Sequence, residues 1–254
     1  MIREDLREEI RQKYEKVSCD HDSYDSRFRL VRDELRAIGD VYSFWIENPE
    51  LRMSLLEHKT PETIKRMASK GIRQIKNAWY YLTTVGQDKD FYLILSPKVL
   101  KYTNALINGR QGKEGQFRKR DVSLNWLSYT PPSFGAVQKK VSDSLEIVND
   151  LFPSEPLGAA IYAHLALALI QPFDDGNKRT SRLIQDRLLV DAGYPPAIIP
   201  AGEAKLYINL LEEAAGGFRS GDEKQTANFY NYIASKVNNG LDDILNDLDV
   251  TKHD

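Results

Sequence analysis

Cysteine is nearly absent from this chain: Cys19 is the only one in 254 residues, so no internal disulfide can form and no cysteine-built zinc site exists. Histidine is scarce too, at four. His21, His58 and His253 show no ligand spacing, and no transition-metal site is expected. An excess of one charge is also missing. Thirty-five basic residues face thirty-seven acidic ones, a net −2, so no whole-molecule field points to nucleic acid or an anionic membrane, and neither is expected as a partner. Phosphate contacts, if any, are local. The first ten residues are charged where a secretory signal would be apolar, and no apolar run is long enough to span a bilayer. A cytoplasmic protein is expected. Repeats, low-complexity tracts and long Pro/Ser linkers are lacking too, which predicts one domain over 1–254: N-terminal helices in 1–60, a core in 61–240 and a tail in 241–254.

What is present is helical periodicity. Leu, Ile, Tyr and Val recur at helical spacing amid dense charge from Leu6 to Ile46, and Ile64, Met67, Ile72, Ile75, Trp79 and Leu82 continue the pattern after Pro61. Thr60-Pro61 and Ser96-Pro97 read as helix starts. Between Asn108 and Phe134, glycines alternate with basic residues and Val122–Tyr129 alternates apolar with polar, which predicts a loop with a short hairpin. Arg118, Lys119, Arg120 and Asp121 read as a solvated loop. Helical spacing returns over Ala136–Leu151, and Leu157–Ile170 is a nearly all-apolar run that predicts a buried central helix. A helix from Gly176 or Asn177 to Gly193, and two more over Glu203–Ala215 and Asp222–Val237, complete the count, with a frayed, partly helical tail after Gly240. Trp45, Trp79 and Trp126 read as core or flap-packing aromatics.

The chemistry sits where the apolar helix ends, in Gln171-Pro-Phe-Asp-Asp-Gly-Asn-Lys-Arg-Thr-Ser-Arg182. Backbone N–H groups at a helix start are unpaired, glycine permits close approach, and the helix dipole favours an anion. Lys178, Arg179 and Arg182 add charge, arginine with a fork suited to phosphate oxygens. Asp174 or Asp175 can hold Mg²⁺, which needs only one or two carboxylates when phosphates and water complete its shell. A polar helix cap with exposed arginines is the plainer alternative.

This stretch resembles the Fic family motif, His-x-Phe-x-Asp/Glu-Gly-Asn-Gly-Arg-x-x-Arg, at Phe173, Asp175, Gly176, Asn177, Arg179 and Arg182. Gly115-Gln-Phe-Arg118 and Tyr129-Thr-Pro-Pro132 resemble the segments that open and close the family's target-binding flap, Arg118 organising it. The resemblance covers roughly Ser43 to Val237. It implies an all-α Fic-like helical bundle with a short β-hairpin flap, and a protein that binds ATP with Mg²⁺ and transfers AMP to a hydroxyl of a target protein. Phe173, Gly176, Asn177, Lys178, Arg179 and Arg182 are then the nucleotide-binding residues, Asp175 the metal ligand, and Gln171, Asn177 and Arg179 the catalytic positions. Ser43-Phe-Trp-Ile-Glu47-Asn48 resembles the inhibitory helix of N-terminally autoinhibited members, in which Glu47 would pair with Arg182 and block a productive nucleotide pose.

Two departures qualify the match. The motif histidine, which takes the target's proton, is here Gln171, and an amide is no base near neutral pH, removing an effect of ~10²–10⁴-fold. Gln171 can still orient a hydroxyl or water. His164 lies two helical turns earlier, ~10 Å away, and reads as a structural histidine. Lys178 replaces a glycine and resembles the death-on-curing toxin branch, which transfers phosphate, although Arg182 is not typical there. Two alternatives to the adenylyltransferase therefore stand: a catalytically inactive Fic-fold protein that binds nucleotide or a partner, and a phosphotransferase.

Overall fold

The computed structural model describes residues 2–18, 29–31, 33–34, 61–85, 93–110, 112, 115–124 and 129–251. Ser43, Glu47 and Asn48, along with Trp45, Trp126, His21, His58 and His253, lie outside them. Among the described residues the architecture is all-α. The helices are α1 (Glu4–Ser18), α2 (Pro61–Thr84), α3 (Pro97–Ile107), α4 (Phe134–Leu151), α5 (Pro156–Ile170), α6 (Asn177–Asp191), α7 (Ala204–Ser220) and α8 (Glu223–Thr251). Residues 29–31 and 33–34 are also helical.

The apolar run becomes the axis of the bundle. Every residue of α5 except Pro156 and Tyr162 is buried, and its small alanines suit the close packing of α4 and α6 against it. Pro156 starts it, where a missing N–H costs nothing. Ser96 caps α3 by accepting from the Val99 N–H at 3.3 Å, as the Ser-Pro pair predicts. The pair α7–α8 closes one side, and α1 lies on α8, joined by Lys13–Asp242 at 2.6 Å and Asn238–Glu9 at 2.8 Å.

Two expectations change. The tail is not frayed: α8 continues to Thr251 because Leu241, Ile244 and Leu248 recur at helical spacing and are buried. Nor is the flap a paired hairpin among the described residues. Residues 115–118 and 129–133 are non-helical, and one guanidinium rather than a strand ladder ties them together: Arg118 Nε donates to the Gln171 carbonyl and Nη1 to that of Arg120, both at 2.8 Å, while Nη2 donates to that of Pro132. Arg118 is buried, so the solvated loop predicted for 118–121 holds for Lys119, Arg120 and Asp121 but not for Arg118.

Candidate functional site

The site is built at the junction of α5 and α6. Helix α5 ends at Gln171, a non-glycine residue in the left-handed region (φ 50°), a conformation costing roughly 1–2 kcal/mol that persists only where its surroundings enforce it. Those surroundings are explicit. The Gln171 side-chain amide donates to the Ala168 carbonyl at 2.6 Å, its Oε1 accepts from Asn177 Nδ2 at 3.0 Å, and its own carbonyl takes the Arg118 bond. Buried and held at both ends, the side chain is a lock on the helix end. That placement argues against its expected role of orienting a hydroxyl or water.

Asn177 folds the loop back on itself. Its Oδ1 accepts from the Phe173 N–H and its Nδ2 donates to the Phe173 carbonyl, both at 2.8 Å, while Phe173 is buried against Phe117 with ring centroids 5.5 Å apart. Phe173 and Asn177 are thus brought to the loop as anchors. Gly176 (φ 77°) precedes α6, and a Cβ there would lie 3.2 Å from both the Asn104 and Asn108 amide nitrogens, so backbone conformation and space both call for glycine.

An anion already sits in this cradle. The Asp175 carboxylate accepts from the Gly176 N–H at 2.7 Å and lies 3.5 Å from Arg179 Nη2, so backbone N–H and guanidinium converge on one negatively charged oxygen. Asp174, also exposed, pairs with Arg120 at 3.3 Å. Lys178 is buried in the first turn of α6. Among the described residues no group of three His, Cys, Asp or Glu side chains forms a metal cluster; Asp175 offers one exposed hard-oxygen donor, a set that suits Mg²⁺ completed by phosphates and water.

Arg182, one turn further, is elsewhere. Only 2% exposed, it meets Glu34, 1% exposed, at 2.7 Å. Asp186 is buried with Glu34, one oxygen of each carboxyl lacking a hydrogen-bond partner among the described residues, and burial raises both carboxyls, Glu34 to about 6. Asp186 also accepts from the Ala197 N–H at 3.1 Å. The expected partner of Arg182, Glu47, lies outside the described residues. His164 is structural, as expected. Its Nδ1 is 2.7 Å from Gln185 Oε1, an acceptor only, so Nδ1 carries the proton and Nε2 accepts from the Tyr207 hydroxyl at 2.8 Å. Burial holds its pKa down at about 3, so it is neutral and unavailable as a base.

A cleft of ≈ 600 Å³, to which no residue of 171–182 contributes, is lined by Tyr129, Pro132, Tyr162, Leu165, Phe218 and Tyr230. Pro132 joins it to the Arg118 clamp, and Leu165 stands six residues before Gln171 on α5, roughly 9 Å along the helix.

Residues 94–189 match the Fic/DOC family. That stretch is similar to a Fic domain. Over 105 residues it is 38% identical to a protein adenylyltransferase Fic of Drosophila persimilis, a match covering 41% of this chain but 20% of that protein; the chain thus spans about a fifth of the length of the curated relatives it matches. A Fic domain containing signaling protein from Bacteroides thetaiotaomicron superposes with a TM-score of 0.70 at 18% identity, over 93% of this chain and 96% of that one. Fic-1 from C. elegans superposes with a TM-score of 0.65 at 18% identity, over 95% and 73%. These structural likenesses establish the Fic fold. Within that fold, reading the sequence missed Glu34, Asn104, Asn108 and Asp186; the signal for the two asparagines was a pair of amides four residues apart at the end of α3.

Proposed function

We propose that this Fic domain binds ATP with Mg²⁺ at the α5–α6 junction and transfers AMP to a hydroxyl of a target protein, slowly and under an internal brake. The carrying observation is the Asp175 carboxylate held between the Gly176 N–H and Arg179: a phosphate oxygen replacing it would meet the same donors. The Asp175 carboxylate would then be free to hold Mg²⁺, which would supply charge neutralisation on the polyphosphate. The Tyr129–Pro132 cleft takes the nucleoside, its aromatic walls suiting a flat base. In the transfer, the target oxygen attacks the α-phosphorus, the bond to the β-phosphate oxygen breaks, and pyrophosphate leaves. With Gln171 locked, the hydroxyl proton passes to water rather than to the protein. Arg179 and the loop N–H groups stabilise the developing charge, the kind of contribution on which phosphoryl-type transfer chiefly depends.

Arg182 serves the terminal phosphate only when Glu34 releases it, so the Glu34–Arg182 pair is one brake; Glu47, by its resemblance, is a candidate for a second. The doubly bonded Gln171 favours a second reading, a nucleotide-binding Fic domain without turnover. The test is label transfer to lysate proteins, or to the protein itself, from ATP carrying the label on the α- or the γ-phosphate, with wild type, Glu34→Ala, Glu47→Gly and each of the last two combined with Gln171→His. Transfer of the α-label by the single variants, rising in the doubles, supports the proposal. ATP binding with no transfer in any variant leaves the binding reading, and transfer of the γ-label alone points to a phosphotransferase.

A further inference from the structure

Asn104, in the last turn of α3, and Asn108, the residue that caps its C-terminus, project onto the nucleotide loop. Asn104 Nδ2 donates to the Asp175 carbonyl at 2.9 Å and to the Thr180 hydroxyl at 3.1 Å. Asn108 Nδ2 donates to the same carbonyl at 3.2 Å and to Asn104 Oδ1 at 3.1 Å. Asn104 is buried and Asn108 half-buried, so the inner amide is fixed by three contacts, one of them the outer amide.

The consequence follows from peptide geometry. No cis bond is present among the described residues, and in a trans peptide the C=O and the following N–H point in opposite directions. Drawing the Asp175 carbonyl toward α3 therefore turns the Gly176 N–H away from α3, to the side where it meets the carboxylate surrogate and Arg179. Without that anchor, a glycine at φ 77° has other orientations open to it at little cost. The Thr180 bond ties the same anchor to the first turn of α6, so loop and helix start move as one piece.

We infer that Asn104 and Asn108 are positioning residues for the anion cradle: they aim the Gly176 N–H at the phosphate without touching it. This rests on the nucleotide reading for its ligand but not for its geometry, and the test separates the two. In the full chain, the Gly176 amide resonance and its hydrogen exchange report the peptide's orientation with no ligand present, titration with ATP·Mg²⁺ reports the cradle, and thermal melting reports the fold. Asn104→Ala is expected to shift the Gly176 amide and weaken ATP·Mg²⁺ binding ~3–10-fold, one to two lost hydrogen bonds' worth. Asn104→Asp, which faces the Asp175 carbonyl with a carboxylate instead of a donor, loses more, at least ~10-fold. Asn108→Ala, at the more exposed position, loses ~2–3-fold and carries the same test should Asn104→Ala not fold. Thr103→Val, which removes a buried hydrogen bond to the Val99 carbonyl on the same helix, lowers the melting temperature but moves neither the amide nor the affinity. An unshifted Gly176 amide with unchanged affinity in Asn104→Ala and Asn104→Asp overturns the inference. If the wild type does not bind ATP·Mg²⁺, the nucleotide reading fails, and the Gly176 amide alone decides whether α3 orients the loop.

Discussion

Arg179 and Arg182 stand three residues apart on α6 and meet opposite surroundings. The first reaches an exposed carboxylate at 3.5 Å, its own side chain partly open to solvent; the second is 2% exposed and meets an equally buried Glu34 at 2.7 Å. A contact like the first contributes ~0–1 kcal/mol and exchanges readily for another anion. A contact like the second, once formed, is costly to break from one side because a charge is left without a partner in low dielectric. The start of α6 is thus built to exchange ligands and its second turn to hold one. A nucleotide that needs both arginines engages the first easily and the second only by displacing a segment of chain.

The comparison is broken most severely by Arg182→Met. It leaves the buried carboxyls of Glu34 and Asp186 without the Arg182 charge, and ~3 kcal/mol of stability is expected to be lost, read as a lowered midpoint in chemical denaturation. Were the loss below ~1 kcal/mol, the pair would behave as a surface contact and the distinction between the two turns would collapse. Arg179→Ala sharpens it from the other side. Stability is expected to change by less than ~0.5 kcal/mol, whereas ATP·Mg²⁺ binding weakens ~10-fold with the loss of a charge-assisted contact. Calorimetric titration beside a melting curve separates the two effects, and an affinity loss matched by an equal stability loss would show Arg179 to be part of the scaffold instead.

What the sequence discloses follows the same division. The exchangeable part is local: Phe173, Asp175, Gly176, Asn177 and Arg179 lie within seven consecutive positions, where chain direction, glycine and charge can be read together. The holding part is assembled across the chain. Glu34 is 148 residues from Arg182, and Asn104 is 71 from Asp175, so periodicity assigns both to helices without saying what they face. Helix starts at Pro61 and Pro97 were legible because proline and its preceding residue act locally. The end of α7 was misplaced at Ala215. Gly216 and Gly217 look like a stop, but a Cβ on Gly217 would lie 2.5 Å from the Asp222 carbonyl and 2.7 Å from Gln225 Cβ, so glycine there permits the close turn into α8 and the helix runs on to Ser220.

The smallest expected effect is also the most diagnostic of the buried side. Burial raises the Glu34 carboxyl from 4.5 to about 6, and Asp186 moves in the same direction. A carboxyl with a folded-state pKa above its unfolded value binds more protons when folded, so the stabilisation is complete below about pH 4.5 and fades as pH rises through about 6. For Glu34 the shift corresponds to at most ~2 kcal/mol. Melting temperature is therefore expected to fall between pH 5 and pH 7.5, and ATP·Mg²⁺ affinity to fall over the same interval as Glu34 ionises and holds Arg182 more tightly. The γ-phosphate of ATP also titrates near this range, which makes Glu34→Gln the necessary comparison: it keeps a hydrogen-bonding side chain against Arg182 and cannot titrate. A flattened pH dependence in Glu34→Gln assigns the slope to the buried pair, whereas an unaltered one moves the origin of the pH response off Arg182 and makes its contact with Glu34 a fixed structural bond.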